Sequence, residues 1–316
     1  MKKNILGRTG IEVSELSFGA VCIGLPYGIE ADSERPDDDY FVSLLNTSLD
    51  SGINFFDTAR GYGKSEELIG KAFEDKRREV VICTKPSHIK PEQLNILSYD
   101  EIGGIIKGSL QTSLQNLKTD YVDVLMSHNG QLEYQKNKNF VKSFDDMKQQ
   151  GLTRSLGISV YTVQESLEAI NSGIWNVIQL PFNLMDQRQS EVFELAHEKG
   201  VGIVVRSVLF KGILADSRRA LHPALRAIDE HCELYRELLD DDTKTLSELA
   251  TKFVLSQKGI SSVLVGIDKL QYLEQALKVT AGKSLNDSVL AQAKNMSYPD
   301  PEFLDLPKWS REGWLI

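Results

Sequence analysis

A single α/β domain over residues 1–316, a closed (β/α)8 TIM barrel with an N-terminal β-hairpin and extended loops, is the fold the sequence predicts. Three observations carry that expectation. Eight short, almost continuously apolar runs alternate with amphipathic stretches, and strict alternation of this kind implies a parallel sheet. No Gly-x-Gly-x-x-Gly follows the first run, which counts against the open dinucleotide-binding sheet. Polar residues also collect at the C-terminal ends of the runs, where barrel enzymes place their chemistry.

The elements follow in order. "LGRTG" and "IEVSELSFG" read as a hairpin closing the barrel floor. Strands are expected at 15–20 (ELSFGA), 53–57 (INFFD), 79–85 (EVVICTK) and 122–128 (VDVLMSH). Four more are expected at 155–160 (SLGISV), 176–180 (NVIQL), 202–207 (GIVVRS) and 261–266 (SSVLVG). Runs this short and apolar fit strands covered on both faces. Between them, "SEELIGKAFED", "TVQESLEAINS", "RQSEVFELAHEKG" and "TLSELATKFVLSQKG" have helical periodicity, the last two ending in Lys-Gly, a common helix stop. The loop 27–38 and the stretch 211–243 read as insertions, not domain boundaries.

The bulk numbers narrow the function classes. With 316 residues, 41% of them hydrophobic, the chain can bury one large core, and its length suits a barrel of about 250 residues or more. A net charge of −9 with no Lys/Arg stripe argues against nucleic-acid or anionic-membrane partners. Cys22, Cys83 and Cys232 lie far apart with no metal-ligand spacing, so no metal is expected and a reducing, cytoplasmic setting fits. "MKKNILGRTG" lacks the apolar segment of a secretory leader. No apolar run reaches the roughly 18 residues of a membrane span.

Asp57, Lys85, His128, Ser159, Gln179, Arg206 and Gly266 each close a predicted strand or stand in its last two positions. Together they point to one polar site at the barrel mouth. Gln179, inside an apolar run, needs a polar partner. Tyr62 follows the second strand, five residues after Asp57 in "DTARGY". Neighbouring strands would bring Asp57, Tyr62, Lys85 and His128 together. A phenol that donates a proton to a developing alkoxide gains from a pKa lowered from about 10 toward neutrality, and burial opposes this. A lysine cation about 4 Å away, at an effective dielectric near 20, supplies roughly 4 kcal/mol, or about 3 pKa units. The charge is therefore expected to outweigh burial. Asp57 would keep Lys85 protonated, and His128 would orient or polarise a carbonyl oxygen. None of these groups moves a hydride, so a reduction needs a bound nicotinamide.

Each residue also has a plainer reading when taken alone. Asp57 is an ordinary helix cap, Tyr62 packing, Lys85 before Pro86 a strand-end lysine, His128 a satisfied buried histidine, and Gln179 a partner for nearby backbone. His88, His197, His222 and His231 end no predicted strand and read as structural, as does Trp175 ahead of strand six. The acidic run "EADSERPDDD" reads as a solvated loop. Trp309 and Trp314 in "PKWSREGWLI" either line a substrate pocket or pack the tail on the barrel.

Over nearly its whole length the chain resembles the aldo-keto reductases. The matching pieces are "LGRTGIEVSELSFGA", "GINFFDTARGYGKSEELIGKAF", "VVICTKP", "LKTDYVDVLMSH", "GLTRSLGISVY", "VIQLPFN" and "SSVLVGIDKLQYLEQAL". The resemblance implies that Tyr62 is the proton donor, completed by Asp57, Lys85 and His128. It implies an NADPH site, with NADH as the alternative donor, and a small carbonyl substrate. Ser159 and Gln179 would bond the nicotinamide carboxamide. Arg206, Ser207, Leu209 and Gly212 would hold its face and the pyrophosphate. Gly19 and Ala20 at the end of the first strand would also border the cofactor, and Gly266, Lys269 and Gln275 would reach its adenosine end. Val160 stands where many relatives have Asn, Arg206 where an aromatic often stacks, and Val265 and Ala276 where Pro and Asn are common. A guanidinium can stack too, but it brings positive charge beside a ring that is cationic when oxidised. Two rival readings stay open: a Schiff-base aldolase using Lys85, and a non-catalytic cofactor-binding regulatory subunit.

Overall fold

The computed structural model describes residues 1–27, 36–216 and 220–315. Strands β1 (Lys3–Ile5) and β2 (Glu12–Ser14) pair antiparallel as the N-terminal hairpin, with Lys3 opposite Ser14. Eight further strands follow: β3 (Leu16–Gly19), β4 (Phe55–Asp57), β5 (Val81–Thr84), β6 (Val122–Ser127), β7 (Thr153–Ser159), β8 (Val177–Pro181), β9 (Gly202–Arg206) and β10 (Ile260–Gly266). They are parallel and close in the order β10-β3-β4-β5-β6-β7-β8-β9. Every strand expected from the apolar runs is present.

The two-residue period of a strand divides each run between two cores. Phe18, Phe56, Ile82, Leu125, Ile158, Ile178 and Ile203 face outward and pack with the surrounding helices. Phe55, Val81, Cys83, Val124, Met126, Val177 and Val204 fill the bore, where Leu6, Ile11 and Val13 of the hairpin region join them. Each such side chain contributes about 1.5–3 kcal/mol on burial. The hairpin therefore plugs the floor. Gly7 lies so close beneath β9 that a Cβ on it would stand 2.4 Å from the Gly202 nitrogen, and its φ is +57°.

Helix stops behave as the dipeptides suggest at one site and differ at the other. Gly200, left-handed at φ 69°, caps the helix Phe193–Lys199. The helix Leu246–Leu255 ends earlier, with Ser256 as its cap; Gly259, at φ +89°, instead makes the turn into β10. Stretch 211–243 is an insertion carrying the helix Arg226–Arg236, anchored by buried Ile228, Cys232 and Tyr235. Most of loop 27–38 and the first six residues of the acidic run lie outside the described residues. The tail packs on the barrel. Trp309 is fully buried, with ring centroids 5.5 Å from Phe210 and 5.4 Å from Phe303, and Trp314 stacks on His222. Trp175 is buried against Phe144 near the floor. Among the described residues no helix is long and apolar enough to cross a membrane.

Candidate active site

The inward rows of the strands turn from apolar to polar at the same height. Phe55 gives way to Asp57, Cys83 to Lys85, Met126 to His128, Val177 to Gln179 and Val204 to Arg206. Lys85 Nζ donates to Asp57 Oδ1 at 2.6 Å, to Oδ2 at 2.7 Å and to the Thr58 carbonyl at 3.2 Å. Its three protons thus have three acceptors. Lys85 and Asp57 are essentially inaccessible to solvent. Gln179 Nε2 donates to Asp57 Oδ2 at 2.8 Å, and this bond to a carboxylate fixes which way the amide points. Burial alone would lower the Lys85 pKa, but Asp57, with Tyr62 and Cys83, more than offsets it and holds the amine above the ordinary lysine range. A charged amine has no lone pair, so this setting is unfavourable to a Schiff base at Lys85.

Tyr62 is brought over this pair by the loop after β4. Thr58 N–H donates to the Cys83 carbonyl at 2.8 Å, Arg60 N–H to the Lys85 carbonyl at 3.0 Å, and Tyr62 N–H to the Ala59 carbonyl at 3.0 Å. Gly24 backs the loop, since a Cβ there would fall 1.8 Å from the Tyr62 carbonyl oxygen. A buried carboxylate braces it as well. Glu66 accepts from Arg60 Nη1 at 2.6 Å and from Thr84 Oγ1 at 2.7 Å. The half-buried phenol faces His128, with Oη 3.4 Å from Nε2, and its ring centroid lies 5.4 Å from Lys85 Nζ.

The electrostatics correct one expectation. Burial pushes the Tyr62 phenol up; Lys85 pulls it down, Asp57 raises it, Arg206 lowers it, and the net shift is upward. The physical reason is burial first, with the Asp57 carboxylate, seated on the Lys85 ammonium, offsetting part of the lysine's field at the phenol. Burial, followed by the charges of Lys85, His88 and Arg206, pushes the His128 pKa down to about 2. His128 is therefore a neutral imidazole with one N–H.

Strands β7 to β10 bring in the residues expected to border a cofactor. Ser159 is the register partner of Gln179. Ser159 is 4% exposed, and neither its hydroxyl nor Gln179 Oε1 has a hydrogen-bond partner among the described residues. Gly19 pairs with both Asp57 and Gly266, and Ala20 N–H donates to the Asp57 carbonyl at 2.9 Å. After β9 the backbone is left-handed at Ser207 (φ 62°), Phe210 (φ 49°), Lys211 (φ 57°) and Gly212 (φ 97°). Side-chain residues held there cost roughly 1–3 kcal/mol each and cluster at ligand sites. Leu209 is half-buried between them. Lys269 caps the helix Leu270–Ala281 three residues past Gly266. Gln275 is exposed on that helix, while Ala276 is buried in its packing. These last residues extend the site along one side and do not join the Tyr62 cluster.

Two rim residues were not singled out by pattern. His88, read as structural, stacks on His128 with centroids 4.7 Å apart and planes 4° from parallel. Tyr161 lies under Arg206, whose guanidinium carbon is 4.3 Å from its ring centroid. Both stand just beyond a strand end, so looking one to three residues past each run would have found them.

A nicotinamide was expected from the chemistry, and the residues present fit one. A primary carboxamide offers a donor for Gln179 Oε1 and an acceptor for the Ser159 hydroxyl, and neither atom has a protein partner among the described residues.

Comparison with known proteins accords with this geometry. The family model described as "Aldo/keto reductase family" matches residues 15–297. The "Uncharacterized oxidoreductase YqkF" of Bacillus subtilis (strain 168) is 25% identical over 313 residues, covering 95% of this chain and 98% of that protein. The L-galactose dehydrogenase of Arabidopsis thaliana is 28% identical over 327 residues, covering 93% and 96%. Among solved structures, the holo form of aldo-keto reductase AKR11C1 from Bacillus halodurans superposes with a TM-score of 0.77 at 25% identity, covering 94% of this chain and 96% of that one. The chain belongs to the aldo/keto reductase family, whose members are oxidoreductases that use nicotinamide cofactors.

Proposed function

We propose that this chain reduces small aldehydes or ketones to alcohols, with NADPH preferred and Tyr62 as the proton donor. The observation that carries the reading is the facing pair of Tyr62 Oη and His128 Nε2, 3.4 Å apart, above the buried Asp57–Lys85 pair. A bound reduced nicotinamide supplies the hydride. The remaining work belongs to the protein. The carbonyl oxygen is placed between the phenol and the neutral imidazole, whose N–H orients it. The Ser159 hydroxyl and Gln179 Oε1 hold the carboxamide, and the loop from Ser207 to Gly212 encloses the rest.

A raised phenol pKa is compatible with this role. The group to be protonated is an alkoxide, about as basic as hydroxide, whose conjugate acid has a pKa of about 15.7. The phenol remains the stronger acid, and a raised pKa keeps it protonated near neutral pH. Lys85 then matters at the moment of transfer, when negative charge appears on Tyr62 beside a cation fixed in advance. Asp57 holds that cation in place.

Fluorescence titration with NADPH and NADH, followed by turnover with a panel of small aldehydes, tests the reading. Binding of NADPH and aldehyde-dependent oxidation of it are expected. Tight binding without turnover of any aldehyde or ketone would favour the regulatory-subunit reading. A borohydride-stable adduct at Lys85 would favour the aldolase.

A further inference from the structure

Arg206 is placed differently from the other charges of the site. It closes β9, yet its Nη2 donates to the Val160 carbonyl at 3.1 Å, just beyond the end of β7. Because β8 lies between these strands, the guanidinium reaches over the mouth end of β8, where Gln179 stands. Nη1 donates to Ser207 Oγ at 3.2 Å, and the plane rests on Tyr161. All three contacts are to neutral groups, and among the described residues no carboxylate pairs with it. The lysine of the site is matched by Asp57 at 2.6 Å. Lys211, the next cation along the loop, donates to Ser310 at 2.9 Å on the tail side. Among the described residues Arg206 is thus a cation facing the Tyr62–His128 pair with no carboxylate partner. It also acts electrostatically on both Tyr62 and His128, so it belongs to the same chamber.

We propose that Arg206 makes this chamber discriminate between the two redox forms of its cofactor, binding the neutral reduced ring more tightly than the cationic oxidised one. The inference rests on the nicotinamide reading above. A ring that can pass a hydride to a carbonyl carbon must lie beside the oxygen held at Tyr62 and His128, which puts it within the field of the guanidinium. The rest of the cofactor is common to both redox forms, so its contacts cancel in the ratio of the two dissociation constants. That ratio isolates the ring. For one extra unit charge about 6 Å from a fixed cation at an effective dielectric of about 40, between the protein-surface and bulk-water values, the ratio is on the order of tenfold. The same charge favours release of oxidised cofactor after each reduction.

The experiment is a titration of the intact protein with NADPH and, separately, NADP+, in the native protein, Arg206→Gln and Arg206→Met. The native protein is expected to bind NADPH about tenfold more tightly than NADP+, and both variants should bring the ratio close to one. Equal affinity of the native protein for the two forms would overturn the inference, whatever the variants do. So would a ratio that survives in either folded variant. Failure of the native protein to bind either form would instead remove the nicotinamide reading, a distinguishable result.

Discussion

Gln179 and Asp57 meet across the bore of the barrel. Their strands, β8 and β4, stand on opposite sides of the closed sheet, and Nε2 of one donates to Oδ2 of the other at 2.8 Å. The bond lies above an apolar layer formed by Cys83, Val124, Met126 and Val204. It completes a chain from Lys85 through Asp57 to Gln179 that forms the polar bottom of the mouth. It also turns Gln179 Oε1 away from Asp57, leaving that atom for a ligand. One glutamine thus ties the side of the site that holds Tyr62 and Lys85 to the side that holds Ser159, where the carboxamide is proposed to bind.

Gln179→Leu is the direct test of that tie. It removes a donor from a buried carboxylate, which costs about 1–3 kcal/mol. A lower urea midpoint with an unchanged slope is expected, together with weaker binding of both reduced cofactors. An unchanged midpoint would mean that the cross-barrel bond contributes nothing to stability.

The Asp57–Lys85 pair should show strong coupling in stability and in rate. Lys85→Met leaves a buried carboxylate, and Asp57→Asn a buried ammonium, without its counter-charge. Each should cost about 3–5 kcal/mol. The double variant Asp57→Asn/Lys85→Met removes both charges and should recover most of that loss while remaining inactive. Thermal melts and aldehyde turnover of the three variants check this. Additive destabilisation would contradict the pairing, and an active Lys85→Met would contradict its role.

The same pair shows what was legible in the sequence. The strands were readable because parallel strands covered on both faces must be short and apolar. The site was readable because alternation breaks at one height: Phe55 to Asp57, Cys83 to Lys85, Met126 to His128 and Val177 to Gln179. The sign of the Tyr62 shift was not readable. It depends first on how deeply the phenol is buried, then on its distances from Lys85 and Asp57, and spacing along the chain contains none of these. His88 and Tyr161 were hidden for a related reason: they act through stacking beyond the strand ends, where no periodicity marks them. The buried brace from Glu66 to Arg60 was hidden too, because a charged pair on a helix-loop junction reads as solvent-exposed until burial is known.

Cofactor preference should depend on Lys269. It opens the helix Leu270–Ala281 beside the end of β10, where an adenosine ribose is proposed, and a cation there favours a 2′-phosphate. Lys269→Ala should weaken NADPH binding several-fold (roughly 1 kcal/mol) and leave NADH nearly unchanged. Parallel titrations of the two cofactors check this. Equal or tighter binding of NADH by the native protein would contradict the preference.

The pH profile of reduction should be governed by Tyr62 and not by His128. With its pKa pushed down to about 2, His128 stays neutral throughout the working range. Burial also lowers the His88 pKa below its ordinary value, so neither histidine changes charge above neutrality. The phenol, raised by burial, keeps its proton until strongly alkaline pH. The chemical step should therefore be flat from about pH 7 to 9 and fall only above about 10, where an unperturbed phenol begins to ionise. A rise or fall centred between about 6 and 7 would show that a histidine carries the proton.

The most direct measurement is aldehyde reduction by Tyr62→Phe, with NADPH affinity measured on the same preparation. The change removes one hydroxyl and keeps the ring, so melting temperature and cofactor affinity should hardly move. Proton donation is needed only as the alkoxide forms, so the loss should appear in kcat. A positioned acid contributes about 10²- to 10⁴-fold, and a fall of that size with intact NADPH binding is the predicted result. Reduction at close to the native rate by Tyr62→Phe would contradict the account at its centre.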